Sequence, residues 1–197
     1  MKKECGHSKY TNTRHEKIFQ GEHFKYRAKT CSKCKAVLWD NTVQTEYNQW
    51  LNMLYKSKRH LFQVQYGLSD RGQELIEKLN ESFPGVEESL LIRAMIVINM
   101  EIVEENEDIL ELVEKHLQSE DNTLLRAGDK INKKLQFKPN GMQEIISYAD
   151  MIDEKASTII EESLYRILLL NIKEDPEMRK YWEEVVLRNI EIILKAA

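Results

Sequence analysis

The chain has 197 residues, of which 42% are hydrophobic and 31% charged, with only seven glycines and three prolines. This composition excludes a disordered chain and favours long helices with few turns. The net charge of −4 hides a division: residues 1–60 hold 13 Lys/Arg against 5 Asp/Glu, whereas residues 61–197 hold 16 against 28. A balance of +8 followed by one of −12 predicts two functional parts, of which only the first attracts polyanions.

The cysteine content and the N-terminal residues predict a cytoplasmic protein. Three cysteines are an odd count, which is unlike a disulfide framework and typical of a reducing compartment. The opening MKKECGHSKY has no apolar run after its lysines, so no signal peptide is expected. The longest apolar stretch, residues 89–103, contains Arg93 and Glu101 and is too short to span a bilayer. No membrane contact is expected.

The first predicted element is a zinc-binding module at residues 1–42. Cys31 and Cys34 have the CxxC spacing of a metal knuckle, and Cys5 and His7 stand together as Cys-Gly-His. These four residues form a Cys3His set, the composition of a closed structural zinc site, and thiolate and imidazole ligands suit zinc better than hard cations. So small a module has little core, so the metal would supply much of its folding energy.

Between the two cysteine pairs, residues 17–29 read as a β-hairpin with Gly21 in its turn. Ile18, Phe24 and Tyr26 are expected to face the interior of this hairpin. The segment leaves the fourth zinc ligand open, because His15 or His23 could replace His7.

An amphipathic helix is predicted to connect the module to the rest of the chain at residues 43–60. Its apolar residues recur at helical spacing, and Asp40 or Asn41 is positioned to cap it. The segment KTCSKCKAVLWDNTVQTEYNQWLNMLYKS, and with it residues 1–57 or so, resembles the zinc-finger domain of certain bacterial antitoxins. Two features depart from that family: a Cys-x-His first knuckle, and Lys35 where a glycine is usual. The resemblance implies that this domain holds a toxin while a separate domain reads DNA.

A strand, a helix and a second helix follow in residues 61–104. In LFQVQY, Phe62, Val64 and Tyr66 point to one face and Gln63 and Gln65 to the other. Ser69 is positioned to cap the first helix, and Pro84-Gly85 ends it.

The same order is predicted again in residues 133–172. Leu135 and Phe137 alternate with Gln136 and Lys138, a helix follows, and Ser157 is expected to cap a second apolar helix. The word EESL occurs in both second helices. An accidental match between two helical segments is the alternative to a repeat.

As a repeat, residues 59–172 or so resemble the tandem ribbon-helix-helix DNA-binding proteins. The resemblance implies an antiparallel two-stranded ribbon that enters the major groove, with phosphates held at the N-terminus of each second helix. Gln and Lys have the donor patterns for adenine and guanine edges. The expected base-reading residues are Gln63, Gln65, Gln136 and Lys138, and the expected phosphate contacts are Lys58, Arg59, Lys133, Lys134 and Ser157.

The C-terminal helix predicted at residues 176–195 has a broad apolar face, which favours burial against its own domain or in a homodimer. The expected fold class is therefore mainly α: a zinc-stabilised β-hairpin module, then a helical domain (61–197) containing a two-stranded antiparallel ribbon.

These observations lead to two hypotheses for function. The first is a sequence-specific regulator of double-stranded DNA: a repressor, an antitoxin-type autoregulator or a plasmid-transfer accessory protein. The alternative is a non-enzymatic adaptor whose basic zinc module binds an acidic protein partner such as a toxin, and the −12 balance of residues 61–197 favours it. No enzyme is expected, because the chain has no phosphate-binding glycine loop, HExxH or G-x-S-x-G.

Overall fold

The structure is a computed structural model that describes residues 7–103, 105–117, 119–172 and 176–196. It is mainly helical with two small antiparallel sheets. The strands are β1 Tyr10–Phe19, β2 Glu22–Cys31, β3 Val37–Leu38, β4 Gln63–Ser69 and β5 Lys130–Gln136. The helices are α1 Asn41–Ser57, α2 Asp70–Glu81, α3 Glu88–Ile98, α4 Glu107–Leu117, α5 Glu120–Arg126, α6 Pro139–Met151, α7 Ala156–Ile172, α8 Pro176–Tyr181 and α9 Arg188–Ala196.

The chain divides into two compact units. The first unit is Met1–Gln63 with Phe137–Met142, and the second is Val64–Gln136 with Gln143–Ala197. Within the described ranges, no helix combines the length and the apolar character that a bilayer span requires.

The first unit begins with a long hairpin. β1 and β2 pair antiparallel over ten residue pairs, from Tyr10↔Cys31 to Phe19↔Glu22, and the short β3 extends the sheet beside β2. The connecting turn uses Gln20 at φ 49° and Gly21 at φ 80°. Two successive residues at positive φ form the two-residue turn whose twist matches that of paired strands. The glycine in the turn is therefore a conformational requirement.

α1 packs its apolar stripe against this hairpin within the first unit. Asp40 is the N-cap, and its Oδ1 accepts a hydrogen bond from the Val43 backbone N–H at 3.0 Å. The Phe24 ring lies 5.2 Å from the Tyr47 ring and 5.4 Å from the Trp50 ring, measured between centroids. The buried residues of α1 are Val43, Tyr47, Leu51 and Leu54.

The prediction that Ile18 faces the interior is wrong. Phe19 is 5% exposed, and successive strand residues point to opposite faces, so Ile18 lies on the outer face. It is 61% exposed there, opposite His23. Of the other two residues expected inside, Phe24 is buried and Tyr26 is half-buried.

The second unit is built around α7. This helix is apolar on most of its surface and packs against α2, α3, α4 and α5. Polar bonds tie strand and helices together: the Ser69 N–H donates to the Tyr165 hydroxyl at 2.9 Å, and Ser69 Oγ caps α2 by accepting from the Gly72 N–H at 3.0 Å. The buried residues of α7 include Ile159, Ile160, Leu164, Tyr165, Ile167, Leu168, Leu169 and Leu170.

The order strand–helix–helix occurs twice, as β4-α2-α3 and as β5-α6-α7. β4 and β5 pair with each other. Hydrogen bonds at the two ends, from the Phe137 N–H to the Phe62 carbonyl and from the Asp70 N–H to the Asp129 carbonyl, require an antiparallel arrangement. We call this pair of strands, β4 and β5, the ribbon.

Several predicted boundaries differ from the structure. The connecting helix is Asn41–Ser57 rather than 43–60, because a short 3-10 turn, Arg59–Phe62, precedes β4. α3, the second helix of the first strand–helix–helix unit, ends at Ile98 and is followed by a π turn, Asn99–Val103. The predicted C-terminal helix also contains a π turn, Trp182–Leu187, between α8 and α9.

Candidate functional site

The first candidate site is a cluster of His7, Cys31 and Cys34. One ligand atom from each residue lies within 4.8 Å of the others, and His7 Nδ1 is 3.5 Å from Cys31 Sγ. Cys31 is buried, whereas His7 and Cys34 are exposed. Two sulfurs and an imidazole nitrogen this close can hold a metal ion. Cys5, the remaining predicted ligand, lies outside the described residues.

The knuckle that carries the two cysteines has a specific backbone geometry. The Lys35 N–H donates to the Cys31 carbonyl at 3.0 Å, and the Cys31 N–H donates to the Ala36 carbonyl at 2.8 Å. Lys35 has φ 60°, the left-handed conformation that favours glycine. The chain makes this turn with a lysine.

The two alternative ligands are engaged elsewhere in the first unit. His15 Nε2 lies 2.7 Å from the hydroxyl oxygens of both Thr13 and Thr30. His23 Nδ1 lies 3.1 Å from a carboxylate oxygen of Glu16. Neither histidine belongs to the Cys31–Cys34 cluster, so the geometry favours His7 among the three histidines.

The second candidate site is the solvent-facing side of the ribbon. The antiparallel register places Gln65 opposite Lys134, and both side chains are exposed. Asn132 and Gln136 lie on the same side of β5, exposed and half-buried respectively. We call these four residues of the second unit, Gln65, Asn132, Lys134 and Gln136, the outer ribbon face.

The opposite side of the ribbon belongs to the core. Val64 is 8% exposed, and Tyr66 and Leu135 are each 2% exposed. Burial raises the pKa of the Tyr66 hydroxyl, and the nearby Glu88 carboxylate raises it further. This side of the ribbon therefore anchors the strands, while the outer face is available for contact.

Two of the predicted base-reading residues, Gln65 and Gln136, lie on the outer ribbon face. Gln63 and Lys138 are exposed but belong to the first unit. Asn132 and Lys134 were not predicted to read bases. Both lie at two-residue intervals before Gln136, so the alternation of the strand would have placed them on the same face. Only the strand pairing shows which positions share a face.

The outer ribbon face ends at Gly67. The Gly67 N–H donates to Glu161 Oε1 at 2.8 Å, and the other oxygen of that carboxylate is 3.0 Å from Lys130 Nζ. A Cβ at this glycine would lie 3.2 Å from Lys130 Cδ and 3.6 Å from Glu161 Oε1. Because Gly67 has no side chain, the Glu161 side chain of α7 can reach the strand. This contact closes one end of the outer ribbon face.

The predicted phosphate contacts beside the strands are mostly engaged within the protein. Lys133 Nζ is 2.6 Å from a Glu88 oxygen, and Lys58 Nζ is 2.7 Å from a Glu22 oxygen. The Arg59 guanidinium lies over the Tyr55 ring, with its central carbon 5.3 Å from the ring centroid. Each of these three cations therefore has a partner within the protein, and their phosphate role stays a prediction. The fourth predicted cation, Lys134, lies on the outer ribbon face instead.

Ser157 is not a helix cap, contrary to the prediction. α7 begins at Ala156, so Ser157 lies half-buried inside the first turn. The exposed carboxylates of Asp153 and Glu154 come just before the helix. Negative charges there would oppose phosphate binding at this helix N-terminus.

Comparison of the chain with protein-family models, with curated proteins and with solved structures finds no match. A function must therefore be argued from the geometry of the sites themselves.

Proposed function

We propose that this protein is a sequence-specific DNA-binding regulator that reads duplex DNA with the outer ribbon face. The observation that carries the proposal is the division of the ribbon into two sides. Gln65 and Lys134 are exposed and Gln136 is half-buried beside them, while Val64 and Leu135 on the other side are buried. A two-stranded antiparallel ribbon has a width that fits the major groove.

The side chains on this face have the chemistry that base edges require. Glutamine and asparagine can form paired hydrogen bonds with adenine N6 and N7, and lysine can donate to guanine O6 and N7. Each good pair contributes about 1–3 kcal/mol of discrimination against the wrong base. Gln65, Asn132, Lys134 and Gln136 together can discriminate several base pairs.

The acidic character of the second unit is reduced near the ribbon. Glu88 is paired with Lys133, and Glu161 is paired with Lys130. A carboxylate in an ion pair repels a phosphate less than a free one does. Lys134 remains exposed on the outer ribbon face, with no ion pair among the described residues.

The resemblance to ribbon-helix-helix proteins supports the same function. The repeated strand–helix–helix order and the antiparallel pairing of the two strands are the features that such proteins use to bind DNA. A repressor, an antitoxin-type autoregulator or a plasmid-transfer accessory protein would each use binding alone, without a chemical reaction.

We also propose that the cluster of His7, Cys31 and Cys34 binds a structural zinc ion, with Cys5 as the fourth ligand. A Cys3His set suits tetrahedral zinc, and four protein ligands leave no open coordination position for catalysis. The ion would hold the N-terminal segment against the knuckle that follows β2.

The test of DNA reading is selection from a random duplex pool at two salt concentrations, using the full-length protein kept reduced. We expect enrichment of a defined sequence. The variant Gln65→Ala/Lys134→Ala/Gln136→Ala should lose that preference while it stays folded. The two exposed substitutions should change stability by no more than about 0.5 kcal/mol each, and the half-buried Gln136 is matched by the half-buried Gln143 of the control.

A matched control changes the same residue types away from the ribbon: Gln49→Ala/Gln143→Ala/Lys78→Ala. This variant should keep the full sequence preference. If the wild-type protein enriches no sequence, or if the ribbon variant keeps its preference, the adaptor hypothesis replaces the regulator.

A further inference from the structure

The outer face of the β1–β2 hairpin carries a concentrated positive charge. The side of the hairpin away from α1 presents Arg14, Lys25, Arg27 and Lys29, all of them exposed. We call these four residues the basic hairpin face. It lies entirely within the first unit.

The arrangement of these cations is unfavourable without an anion. Arg14 and Arg27 are directly opposite each other in the strand register. Like charges in that position destabilise a strand pair. Lys25 is opposite Glu16 in the register, but the Glu16 carboxylate is paired with His23 at 3.1 Å, and none of the four cations is in an ion pair with a described residue. An anionic partner would therefore relieve repulsion that the described residues leave in place.

The spacing of the cations suits a regularly charged polymer. Lys25, Arg27 and Lys29 occupy alternate positions of β2, so their Cα atoms are about 6.6 Å apart along one side of the strand. Arg14 widens this row onto β1. A nucleic-acid backbone offers negative charges at regular intervals, and lysine and arginine side chains bind them without sequence preference.

The composition of the face argues against a protein partner. The cores of protein interfaces are depleted of lysine and acidic residues and are enriched in aromatic residues, methionine and arginine. On the outer side of the hairpin the single large exposed apolar residue is Ile18, at the turn end beside His23. A face with four cations and one apolar side chain lacks the anchor that a protein partner would need.

The centre of the hairpin is also concave. Arg14, Lys25 and Arg27 border a cleft of about 620 Å³, which His15, Tyr26 and two acids, Glu16 and Glu46, also line. Positive charge around a concave surface concentrates the electrostatic field more than the same charge on a flat surface. With three cations against two carboxylates the cleft has a net positive charge, which favours a phosphate group.

We propose that the basic hairpin face is a second, sequence-independent DNA contact that binds the phosphate backbone of a duplex. The inference goes beyond the ribbon proposal, since it concerns another unit, other residues and affinity rather than sequence preference. As a consequence, the second unit would select the DNA sequence, and the first unit would add affinity for DNA that decreases as the salt concentration rises.

The test is a fluorescence anisotropy titration of the full-length protein with a labelled random-sequence duplex of 20 base pairs, over a series of salt concentrations. In the variant Arg14→Gln/Lys25→Gln/Arg27→Gln/Lys29→Gln, the slope of log K against log salt should fall in magnitude by about 3 to 4, because each neutralised phosphate contributes about 0.9. Affinity at low salt should fall more than about tenfold. The melting temperature should change little, since the substitutions are exposed and remove the Arg14–Arg27 repulsion together with the attraction between Lys25 and Glu16 across the strands.

The control Lys56→Gln/Lys78→Gln/Lys115→Gln/Lys180→Gln removes the same charge from exposed positions elsewhere. It should leave the slope nearly unchanged. An unchanged slope in the hairpin variant, or an equal loss in the control, overturns the proposal. A poly-glutamate peptide that binds the wild type as tightly as the duplex would also overturn it, in favour of an acidic protein partner.

The outcome is separable from that of the ribbon proposal. Failure of the ribbon proposal appears as an absence of sequence enrichment, with the hairpin variant still changing the salt slope. Failure of the present inference appears as an unchanged slope, with sequence enrichment intact.

Discussion

The two units of this protein hold their shape by different means. In the first unit, ring contacts connect the hairpin to α1: the Phe24 ring meets those of Tyr47 and Trp50, and the Trp39 ring lies 5.0 Å from that of Tyr26 and 5.6 Å from that of Tyr47, between centroids. In the second unit, aliphatic side chains of α3 and α7 fill the core. A small module can bury only a small fraction of its surface, so it gains most from large rings and from a metal.

The aromatic cluster of the first unit is buried enough to shift the pKa of a tyrosine within it. Burial raises the pKa of Tyr47 to about 12. The Lys17 ammonium lies 4.3 Å from the centroid of the same ring, where a cation is attracted to the π face. Aromatic rings and a cation thus stabilise the first unit, whereas leucine and isoleucine side chains stabilise the second. The comparison predicts that the two units differ most in their dependence on metal.

The largest expected effect comes from removing the metal ligands. Cys31→Ser or Cys34→Ser should abolish one bound zinc per chain and unfold the first unit around its knuckle, because structural zinc contributes about 10–16 kcal/mol of binding free energy in small zinc modules. The helical signal of the second unit should remain. Elemental analysis measures the zinc, and the emission of Trp39 and Trp50 reports the first unit.

The control for this prediction is His15→Ala, which changes a histidine outside the cluster. That variant should keep its zinc. Reduced wild-type protein with no bound zinc would contradict the zinc proposal, and loss of the whole helical signal on chelation would contradict the independence of the second unit.

A smaller effect is expected when a mutation creates a cavity in the core of the second unit. Leu168 is 0% exposed on α7. Leu168→Ala should lower the free energy of unfolding by about 2–5 kcal/mol, through lost burial and the cavity left behind. Denaturation followed by far-ultraviolet circular dichroism, with and without a chelator, measures the loss and shows whether it depends on metal.

The matched control is Leu124→Ala, at a leucine that is 60% exposed. Its cost should stay within about 0.5 kcal/mol. Equal costs at the two leucines would mean that α7 does not form the core of the second unit.

The smallest expected effect concerns an ion pair of the second unit. Arg126 Nη1 and Nη2 each donate to a Glu162 oxygen at 2.8 Å, and these bonds hold the Glu162 pKa below its ordinary value of 4.5. A lowered folded-state pKa contributes stability above about pH 4.5, and that contribution is lost as the pH falls further. Because the Glu162 side chain is 40% exposed, solvent limits the contribution to about 1 kcal/mol or less.

Glu162→Gln should therefore lower stability slightly at pH 7 and should remove part of the acid sensitivity below pH 4.5. The measurement is the melting temperature of wild type and variant at several pH values between 3 and 7. Parallel curves over that range would show that this pair does not contribute to acid unfolding.

Local patterns predicted many of the elements. The spacing of apolar residues and Asp40 indicated α1, Gly21 indicated the hairpin turn, and Ser69 indicated the start of α2, where the structure has each of them. The CxxC spacing likewise indicated that Cys31 and Cys34 lie together. Each of these features depends on residues within one or two turns of chain, so the sequence contains all the information needed.

Other features depend on partners that are far apart in the chain. Lys133, which was expected to contact phosphate, is paired with Glu88, 45 residues earlier. Lys58 pairs with Glu22, 36 residues earlier. Ile18 was expected inside, because an isolated apolar residue does not reveal which face of a strand is covered.

The sequence by itself determined the local elements, the two-residue alternation of the strands and the residue types suited to zinc, since these depend on backbone propensity and ligand chemistry. Only the tertiary structure decided which polar side chains share a face. The antiparallel register places Gln65 opposite Lys134, and the bond from the Gly67 N–H to Glu161, 94 residues away, closes one end of that face. The physical reason is that strand pairing and long-range ion pairs join segments whose proximity no local pattern encodes.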